Sequence, residues 1–437
     1  MLFFLLFYLV LVVGIGCFSF RRIHSPDDYY IAGHKAGVFQ VTGSLLATIL
    51  GSSAILGSIE FAYTHGWAGA WFLVCGAIGL LALLFVVKAL AGFRGYHLPM
   101  LLESFYGDGV RKLSAGVIAL AWLGVVGAQM IGAGQITAAV IGIPYRWAVI
   151  ILGLTLTFYT AAGGQLSIIR TDILQALLIF AGIVPVACIL FLRSPSLEAS
   201  PMISSSFGAF DVVAMLFSYS STFLVGPDIY SRLFCAKDNV TVRKAVLTTA
   251  VLLVPLAFLL AFIGIYGARL YPKGEDSILF AIAKVEFPAG VTLLLYFAML
   301  SAILSSADTT LFTAGSLLSQ FFHEKMDSRE SMRLTMGSTA LLGILAMLIA
   351  LFFTSILKVL LFALGVYAGA FVVPVLWGLL GKRSRRGFAM AAILTGGVLS
   401  LAGKCIGGTV GNLFLILAFF ANFAILALGQ ERRDTPA

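Results

Sequence analysis

Uncharged apolar stretches of about 20 residues recur from one end of this 437-residue chain to the other. A helix needs about 20 such residues to cross the hydrocarbon core of a bilayer, which is roughly 30 Å thick. Hydrophobic residues make up 60% of the chain and charged residues only 11%, whereas soluble domains average roughly 45–50% and about 25%. We therefore expect a protein embedded in the lipid bilayer. A secreted domain, a disordered chain and a nucleic-acid binder are excluded.

The apolar stretches and the turn residues between them predict an all-α polytopic membrane protein with about thirteen transmembrane helices. The first stretch lacks the basic start and the small-residue cleavage site of a signal peptide, so we expect it to remain as a helix. The predicted spans cover residues 2–20, 38–60, 68–93, 114–141, 147–163, 167–191, 211–224, 245–268, 289–322, 335–354, 358–380, 387–402 and 411–428.

Basic residues are concentrated in alternate loops between these spans. If the N-terminus is outside, nineteen Lys and Arg residues, Arg232 among them, fall in cytoplasmic loops or the C-terminal tail and six in outside loops. Cytoplasmic loops normally carry such an excess. The pattern predicts a plasma (inner) membrane protein with its N-terminus outside and its C-terminus in the cytoplasm. It also explains the formal net charge of +9 without a nucleic-acid partner.

The cysteines and histidines form no recognisable chemical site in the sequence. The five cysteines are odd in number and far apart, and the five histidines lie outside the centres of the predicted spans. This distribution fits neither a disulfide framework nor a metal cluster. We expect no organic cofactor, and an enzyme is the least favoured class because no converging catalytic groups are visible.

Glycine and hydroxyl residues are crowded into the middle of the second span, which reads GSLLATILGSSAILG over residues 43–57. Such a helix is prone to break. An unwound turn frees carbonyl oxygens that lipid cannot satisfy, so it is tolerated only beside a cavity or a bound ion. The alternative is an unbroken helix whose small residues form a close packing face, and the residues alone leave both open.

The ninth span reads SAILSSADTT over residues 301–310. Because Ala302, Ser305 and Ser306 are three and four positions apart, one carbonyl and two hydroxyls can converge on one side of the helix. Oxygen-only ligands suit a hard cation such as sodium. Asp308 would need a partner at membrane depth; alternatively it lies below the lipid core as an interfacial acid.

Two further interruptions are predicted. The double glycine at Gly163 and Gly164 ends one helix, and Asp172 then lies early in the next. Its carboxylate either stabilises that helix N-terminus by a few tenths to about 1 kcal/mol or lines a cation path. In the seventh span, Tyr219 and Phe223 are four residues apart and share a face before Pro227 stops the helix. These aromatics could equally form an interfacial belt.

Several short motifs appear in a fixed order along the chain. They are DYYIAG at 28–33, LPMLLESFYG at 98–107, TDILQ at 171–175, PDIYSR at 227–232 and LSSAD at 304–308. Together they resemble the sodium:solute symporter family, whose members carry sodium-coupled sugars, proline, pantothenate and monocarboxylates.

The resemblance implies a LeuT-like core of two inverted five-helix repeats. These repeats would cover about residues 38–191 and 211–380, with an extra N-terminal helix over 1–20 and C-terminal helices over 387–428.

The resemblance also implies a set of site residues. The sodium ligands would be the carbonyls of Ala47, Leu50 and Ala302 and the hydroxyls of Ser305 and Ser306. Asp172 matches a family acid near the inner sodium route, and we add Asp308 as a possible second cation ligand. The positions that match family pocket or gate sites are Ser52, Ser53, Tyr219, Phe223 and Pro227. We add Gln129, which alternatively makes a helix-to-helix hydrogen bond.

The implied function is sodium-coupled symport, with import of a small organic solute by alternating access and a monomer sufficient for transport. The Asn/Lys/Glu set of the family's sugar carriers is absent. An amino acid, a monocarboxylate or a vitamin-like acid is preferred, because a broken helix offers backbone donors to a carboxylate. The alternatives are a proton-driven or uncoupled carrier and a non-transporting sensor. Sensors usually carry an attached signalling domain, and the segment after Leu428 is short.

Overall fold

A computed structural model describes residues 2–90, 96–194, 198–205, 207–271, 278–322, 328–353, 356–406 and 408–431 of the chain. Within these ranges the regular structure is helical, with two isolated β-bridges, Ala36–Ala236 and Ser384–Gln430, and no strand. The all-α prediction is therefore confirmed.

The helices are numbered in chain order. The first nine are α1 (Leu2–Phe20), α2 (Pro26–Ile31), α3 (Val38–Ile49), α4 (Ser52–His65), α5 (Trp71–Leu90), α6 (Leu98–Tyr106), α7 (Asp108–Ile141), α8 (Tyr145–Arg193) and α9 (Ala209–Met215). The others are α10 (Ser221–Val225), α11 (Pro227–Cys235), α12 (Asn239–Leu270), α13 (Ile278–Glu286), α14 (Ala289–Phe322), α15 (Arg329–Phe352), α16 (Ile356–Leu379), α17 (Arg386–Ile406) and α18 (Gly408–Leu428).

The second predicted span is broken in its middle. The helix α3 ends at Ile49, Leu50 leaves the helical region with ψ 38°, and Gly51 is extended with ψ 171° before α4 begins. The break predicted from the crowded glycine and hydroxyl residues is confirmed. An unbroken helix with a small-residue packing face, the alternative interpretation, is wrong.

The long element α8 is also two helices. Gly164 interrupts it with φ 54° and ψ −157°, a conformation that only glycine adopts readily. A Cβ atom at this position would lie 2.6 Å from the ring of Tyr29, so the backbone turns where another side chain packs closely. The helix end predicted at the double glycine is confirmed, and it separates the predicted spans 147–163 and 167–191.

The seventh span is interrupted by a π-helical turn over Leu216–Ser220 and by an extended residue, Gly226, between α10 and α11. Two tyrosine hydroxyls satisfy carbonyl oxygens at this break. Tyr367 of α16 donates to the Val225 carbonyl at 2.5 Å, and Tyr230 donates to the Leu224 carbonyl at 3.2 Å. The predicted stop at the Gly-Pro pair is therefore confirmed.

Eight helices among the described residues are long and apolar enough to cross a membrane, and three shorter apolar helices accompany them. The predicted number of thirteen spans is not confirmed. Some predicted spans, such as 38–60 and 211–224, are divided by breaks into helices that are too short to cross a membrane alone. The helix α14 lies at the centre of the bundle and packs against α7, α8 and α15. Nearly all of its residues from Ala298 to Gln320 are buried, so polar groups on α14 face protein.

Candidate functional site

The broken end of α3 packs against two hydroxyls of α14. Ser305 Oγ donates to the Ala47 carbonyl at 2.7 Å, and the Ala302 carbonyl lies 3.2 Å from the same oxygen. Ser306 Oγ donates to the Thr48 carbonyl at 3.1 Å. Carbonyl oxygens at the end of α3 and hydroxyls of α14 therefore meet at one buried contact.

Glycine allows this close approach. A Cβ atom built on Gly51 would collide with the side chain of Ser306, whose own Cβ would be only 3.2 Å away. Leu50, the residue at the break, is fully buried beside this contact. The predicted ligand set consists of three carbonyls and two hydroxyls, which are neutral oxygen donors of the kind that hard cations prefer. The structure brings the Ala47 and Ala302 carbonyls to Ser305 Oγ, whereas Ser306 Oγ contacts the Thr48 carbonyl. These oxygens fit sodium by their ligand chemistry.

A buried ion pair lies beside the broken helix. Asp172 of α8 accepts a hydrogen bond from Ser44 Oγ at 2.5 Å and pairs with Arg232 Nη2 of α11 at 3.1 Å. Both charged side chains are fully buried. Arg232 also donates to the hydroxyl of Thr309 and, at 3.2 Å, to the backbone carbonyl of Asp228. This network ties α3, α8, α11 and α14 together.

The ion pair corrects two interpretations of the sequence. Asp172 lies two turns inside the second half of α8, so its role as a favourable charge at a helix N-terminus is wrong. The charge pattern predicts Arg232 in a cytoplasmic loop, whereas the structure buries it completely. The sequence signal for Arg232 was indirect: a buried acid needs a cationic partner.

Asp308 is fully buried inside the protein on α14. Its carboxylate accepts hydrogen bonds from the Tyr159 hydroxyl at 2.9 Å and from the Thr309 hydroxyl at 3.3 Å. Thr309 also contacts Arg232, so this hydroxyl links Asp308 to the ion pair. On α1, the Tyr8 hydroxyl accepts a hydrogen bond from Ser301 Oγ at 3.1 Å.

The aromatic residues of the seventh span pack against α5. The rings of Tyr219 and Phe223 lie 5.3 Å apart, and Tyr219 contacts Phe72 edge to face at 5.5 Å. A Cβ atom on Gly76 would lie 3.3 Å from the Phe223 ring, so glycine makes room for this aromatic. The predicted shared face is confirmed. The rings of Tyr219, Phe223 and Phe72 are partly buried against one another.

The remaining candidate residues are more dispersed. Pro227 is buried at the start of α11, next to the break at Gly226. Ser52 and Ser53 begin α4, but their side chains lie outside the described residues. Gln129 is buried on α7 and lines a small cavity with residues of α8 and α14. Neither Tyr219 nor Phe223 lines that cavity.

Comparison with known proteins gives the same fold and places the chain in a family. The sequence profile of the sodium:solute symporter family matches residues 29–396. The chain is 24% identical to the sodium/pantothenate symporter of Escherichia coli (strain K12), over 90% of this chain and 88% of that protein. It is 22% identical to the high-affinity proline transporter PutP of Bacillus subtilis (strain 168), over 87% of each.

Among solved structures, a Na⁺-coupled sialic acid symporter in a substrate-bound outward-open state has a TM-score of 0.81 at 18% identity, covering 98% of both chains. The chain therefore has the LeuT-like fold, and sodium is its coupling ion. Since the family profile covers most of the sequence, this multi-pass membrane protein, which couples the movement of a small solute to sodium, belongs to the sodium:solute symporter family.

Proposed function

We propose that the chain imports a small organic acid together with sodium. The ion is held by the carbonyls of Ala47, Leu50 and Ala302 and the hydroxyls of Ser305 and Ser306. The observation that carries this proposal is the contact between the end of α3 and α14, where Ser305 Oγ lies 2.7 Å from the Ala47 carbonyl. When bound, sodium supplies a positive charge that attracts the carbonyl oxygens of α3 toward α14.

A carboxylate is the favoured solute group. The first backbone N–H groups of α4 follow the break directly, and the N-terminus of a helix attracts an anion. Ala54 and Ile55 donate their N–H groups to the Gly51 carbonyl, which leaves the N–H groups of Ser52 and Ser53 as the candidates. The named solutes of the three relatives, pantothenate, proline and sialic acid, each carry a carboxylate.

The aromatic residues supply an apolar wall for such a solute. Phe72 of α5 bridges α4 and the seventh span, because it contacts Tyr219 and would lie 3.8 Å from a Cβ atom on Gly57. Phe223 extends the same wall, and Pro227 follows it at the break. Gln129 is a weaker candidate for the solute pocket, since it lines a cavity between α7, α8 and α14. We place the solute between α4, α5 and α10.

Transport would proceed by alternating access. We assign the two inverted five-helix repeats to residues 38–191 and 211–380, and each begins with an interrupted helix, which supports a repeated architecture. The excess of basic residues in alternate loops supports an outside N-terminus and a cytoplasmic C-terminus, even with Arg232 removed from the count. Inward movement of one sodium charge gains about 2.3 kcal/mol per 100 mV of membrane potential, enough to drive accumulation.

We assign no catalytic chemistry to the chain and propose that a monomer suffices for transport. Family membership favours sodium coupling over the proton-driven carrier and over the sensor. His97, in the segment before α6, is a poor proton carrier for proton-coupled transport, because burial lowers the pKa of its imidazole to about 3. It therefore remains neutral at physiological pH.

A thermal-shift screen of the purified protein tests the proposed solute class. Amino acids, monocarboxylates, pantothenate and sugars are compared in NaCl and in KCl. A true ligand stabilises the native state by mass action, by about 2.7 kcal/mol at a hundredfold excess over its Kd. We expect a carboxylate to raise the melting temperature in NaCl and to have a much smaller effect in KCl. Stabilisation by a sugar alone, or equal stabilisation in both salts, would contradict the proposal.

A further inference from the structure

The connection between α16 and α17 carries a high density of positive charge. Four of the five residues from Lys382 to Arg386, here called the basic loop, are Lys or Arg, and all four side chains are exposed. The loop leads directly into α17, which is long and apolar enough to cross a membrane. Leu380 and Phe388, on either side of the loop, are exposed apolar side chains (68% and 36%). The basic loop therefore lies where lipid meets water.

The backbone of the basic loop is held by the segment that follows α18. The Arg385 N–H donates to the Gly429 carbonyl at 2.8 Å, and the Arg383 carbonyl accepts from the Glu431 N–H at 3.2 Å. Between them Ser384 is buried, and its hydroxyl donates to a backbone carbonyl of α18 at 2.7 Å. These bonds fix the backbone from which the four basic side chains extend.

Two of the guanidinium groups lie over the same corner of the protein, where α6 ends and α7 begins. Arg383 lies 5.0 Å above the ring of Phe105, at the end of α6. Arg386 lies against Gly109 in the first turn of α7, where a Cβ atom would collide with its guanidinium group. Phe105 and Gly109 are only four residues apart, across the turn at Gly107 with φ 91°. Two forks of N–H donors are thus brought to one corner.

The acids at this corner are already paired with other cations. Arg111 of α7 pairs with Glu103 at 3.4 Å and with Asp108 at 2.6 Å, and Lys112 reaches Asp108 at 3.8 Å. Among the residues that the structure describes, no carboxylate forms an ion pair with the basic loop. Clustered like charges repel one another, and a bound anion relieves this repulsion. The charge of the loop is therefore available for an external anion.

We propose that the basic loop binds the headgroup of an anionic phospholipid. Arg383 and Arg386 hold the phosphate, because a guanidinium presents paired N–H donors that match phosphate oxygens. Leu380 and Phe388 contact the glycerol and the upper part of the acyl chains. Basic clusters next to a transmembrane helix attract anionic lipids.

Positive charge in a loop also orients a chain during its insertion, and the proposal adds lipid binding by the mature protein. It depends neither on the proposed sodium site nor on the solute.

Native mass spectrometry of the purified full-length protein counts bound lipids directly. Phosphatidylglycerol is titrated into the protein in a neutral detergent and compared with phosphatidylcholine of the same acyl chains. We expect phosphatidylglycerol to bind at least about tenfold more tightly, because each basic residue near the surface adds roughly fivefold. Equal affinity for the two lipids would overturn the proposal and leave the loop with a role in orientation alone.

Paired substitutions locate the site. Arg383→Gln with Arg386→Gln should weaken phosphatidylglycerol binding by at least about tenfold and leave phosphatidylcholine binding unchanged. The matched control, Arg243→Gln with Lys244→Gln, removes two exposed positive charges from α12 and should leave both affinities unchanged. Equal losses in the two double variants would show that total charge decides, which would overturn the assignment to the basic loop.

A conservative pair keeps the test decisive if the glutamine variant does not fold. Arg383→Lys with Arg386→Lys retains both charges but loses the forks of donors. It should still prefer phosphatidylglycerol to phosphatidylcholine and bind it more weakly than the wild type. Wild-type affinity in this variant would overturn the assignment of the phosphate to the two guanidinium groups.

Sodium phosphate and glycerol 3-phosphate distinguish a lipid from a free phosphate. Both carry the phosphate group without acyl chains, so they cannot use the apolar contacts with Leu380 and Phe388. At a concentration equal to that of phosphatidylglycerol, neither should displace the lipid. Displacement by either compound would show that the loop binds free phosphate, and would overturn the lipid assignment.

Discussion

Gly51 decides how closely the broken helix can approach α14. Its lack of a side chain lets the backbone reach Ser306, and a Cβ atom there would collide with the serine. The crowding of glycine and hydroxyl residues was visible in the sequence, so the break itself could be predicted. The residues that the break faces could be identified only through the resemblance of the LSSAD motif, since hydroxyl spacing on α14 does not reveal which helix packs there.

Gly51→Ala should therefore weaken sodium binding without unfolding the protein. Overpacking of this kind typically costs about 1–3 kcal/mol, which corresponds to a rise of about 5- to 150-fold in the sodium concentration for half-maximal stabilisation. The measurement is the melting temperature as a function of NaCl concentration. Gly57→Ala is the matched control on α4, because its new Cβ would lie at an ordinary 3.8 Å from Phe72. Equal sodium dependence of the two variants would contradict this account of the break.

Arg232 shows where reasoning from the sequence fails at the level of a single residue. It follows a predicted helix stop and precedes Lys237 and Arg243, so counting charges assigned it to a cytoplasmic loop. Its partner Asp172 is 60 residues earlier, and a single sequence does not reveal such a pairing. Tyr8 on α1 was missed for the same reason, because its contact with Ser301 spans almost 300 residues.

At the scale of secondary-structure elements, the positions of the helix breaks were predicted best from the sequence. Glycine pairs and Gly-Pro steps act locally, so the interruptions at Gly164 and Gly226 follow from conformational preferences alone. The short helices α6 and α13 were not predicted, because they lie between spans and carry no long apolar run. The number of spans also remained uncertain, since length and hydropathy do not distinguish one broken span from two short helices.

Gly164→Ala should strongly destabilise the protein. An L-residue at φ 54° and ψ −157° is strained by about 1–3 kcal/mol, and the new Cβ would also meet the Tyr29 ring at 2.6 Å. Gly142→Ala is the matched control, because Gly142 has φ 78° but open space around it. Melting temperatures in detergent should fall clearly more for Gly164→Ala. Equal losses would show that close packing at Gly164 contributes little.

At the scale of the whole molecule, the loop charges make a topological prediction. His24 follows α1 in a predicted cytoplasmic loop, and Glu198 lies in the predicted outside loop after α8; both are exposed. In a cysteine-free background, Glu198→Cys should react with a membrane-impermeant maleimide in intact cells. His24→Cys should react only after permeabilisation. The reverse pattern would invert the orientation and, with it, the assignment of the inner and outer ends of the sodium path.

The fold of the whole chain could be predicted because membrane spans depend on composition and because the family motifs occur in order. The solute could not, since a pocket is assembled from side chains of several helices, and the sequence does not show how those helices meet.

Sodium-driven uptake by the reconstituted protein tests the central claim most directly. The solute is the carboxylate that stabilises the wild type in NaCl, and the comparison is Ser305→Ala with Ser306→Ala against Ser319→Ala, a buried hydroxyl on the same helix. We predict that an inward sodium gradient drives accumulation in the wild type and in Ser319→Ala, and that the double variant stays in the membrane but loses this accumulation. Normal sodium-dependent uptake by the double variant would contradict the proposed ion site.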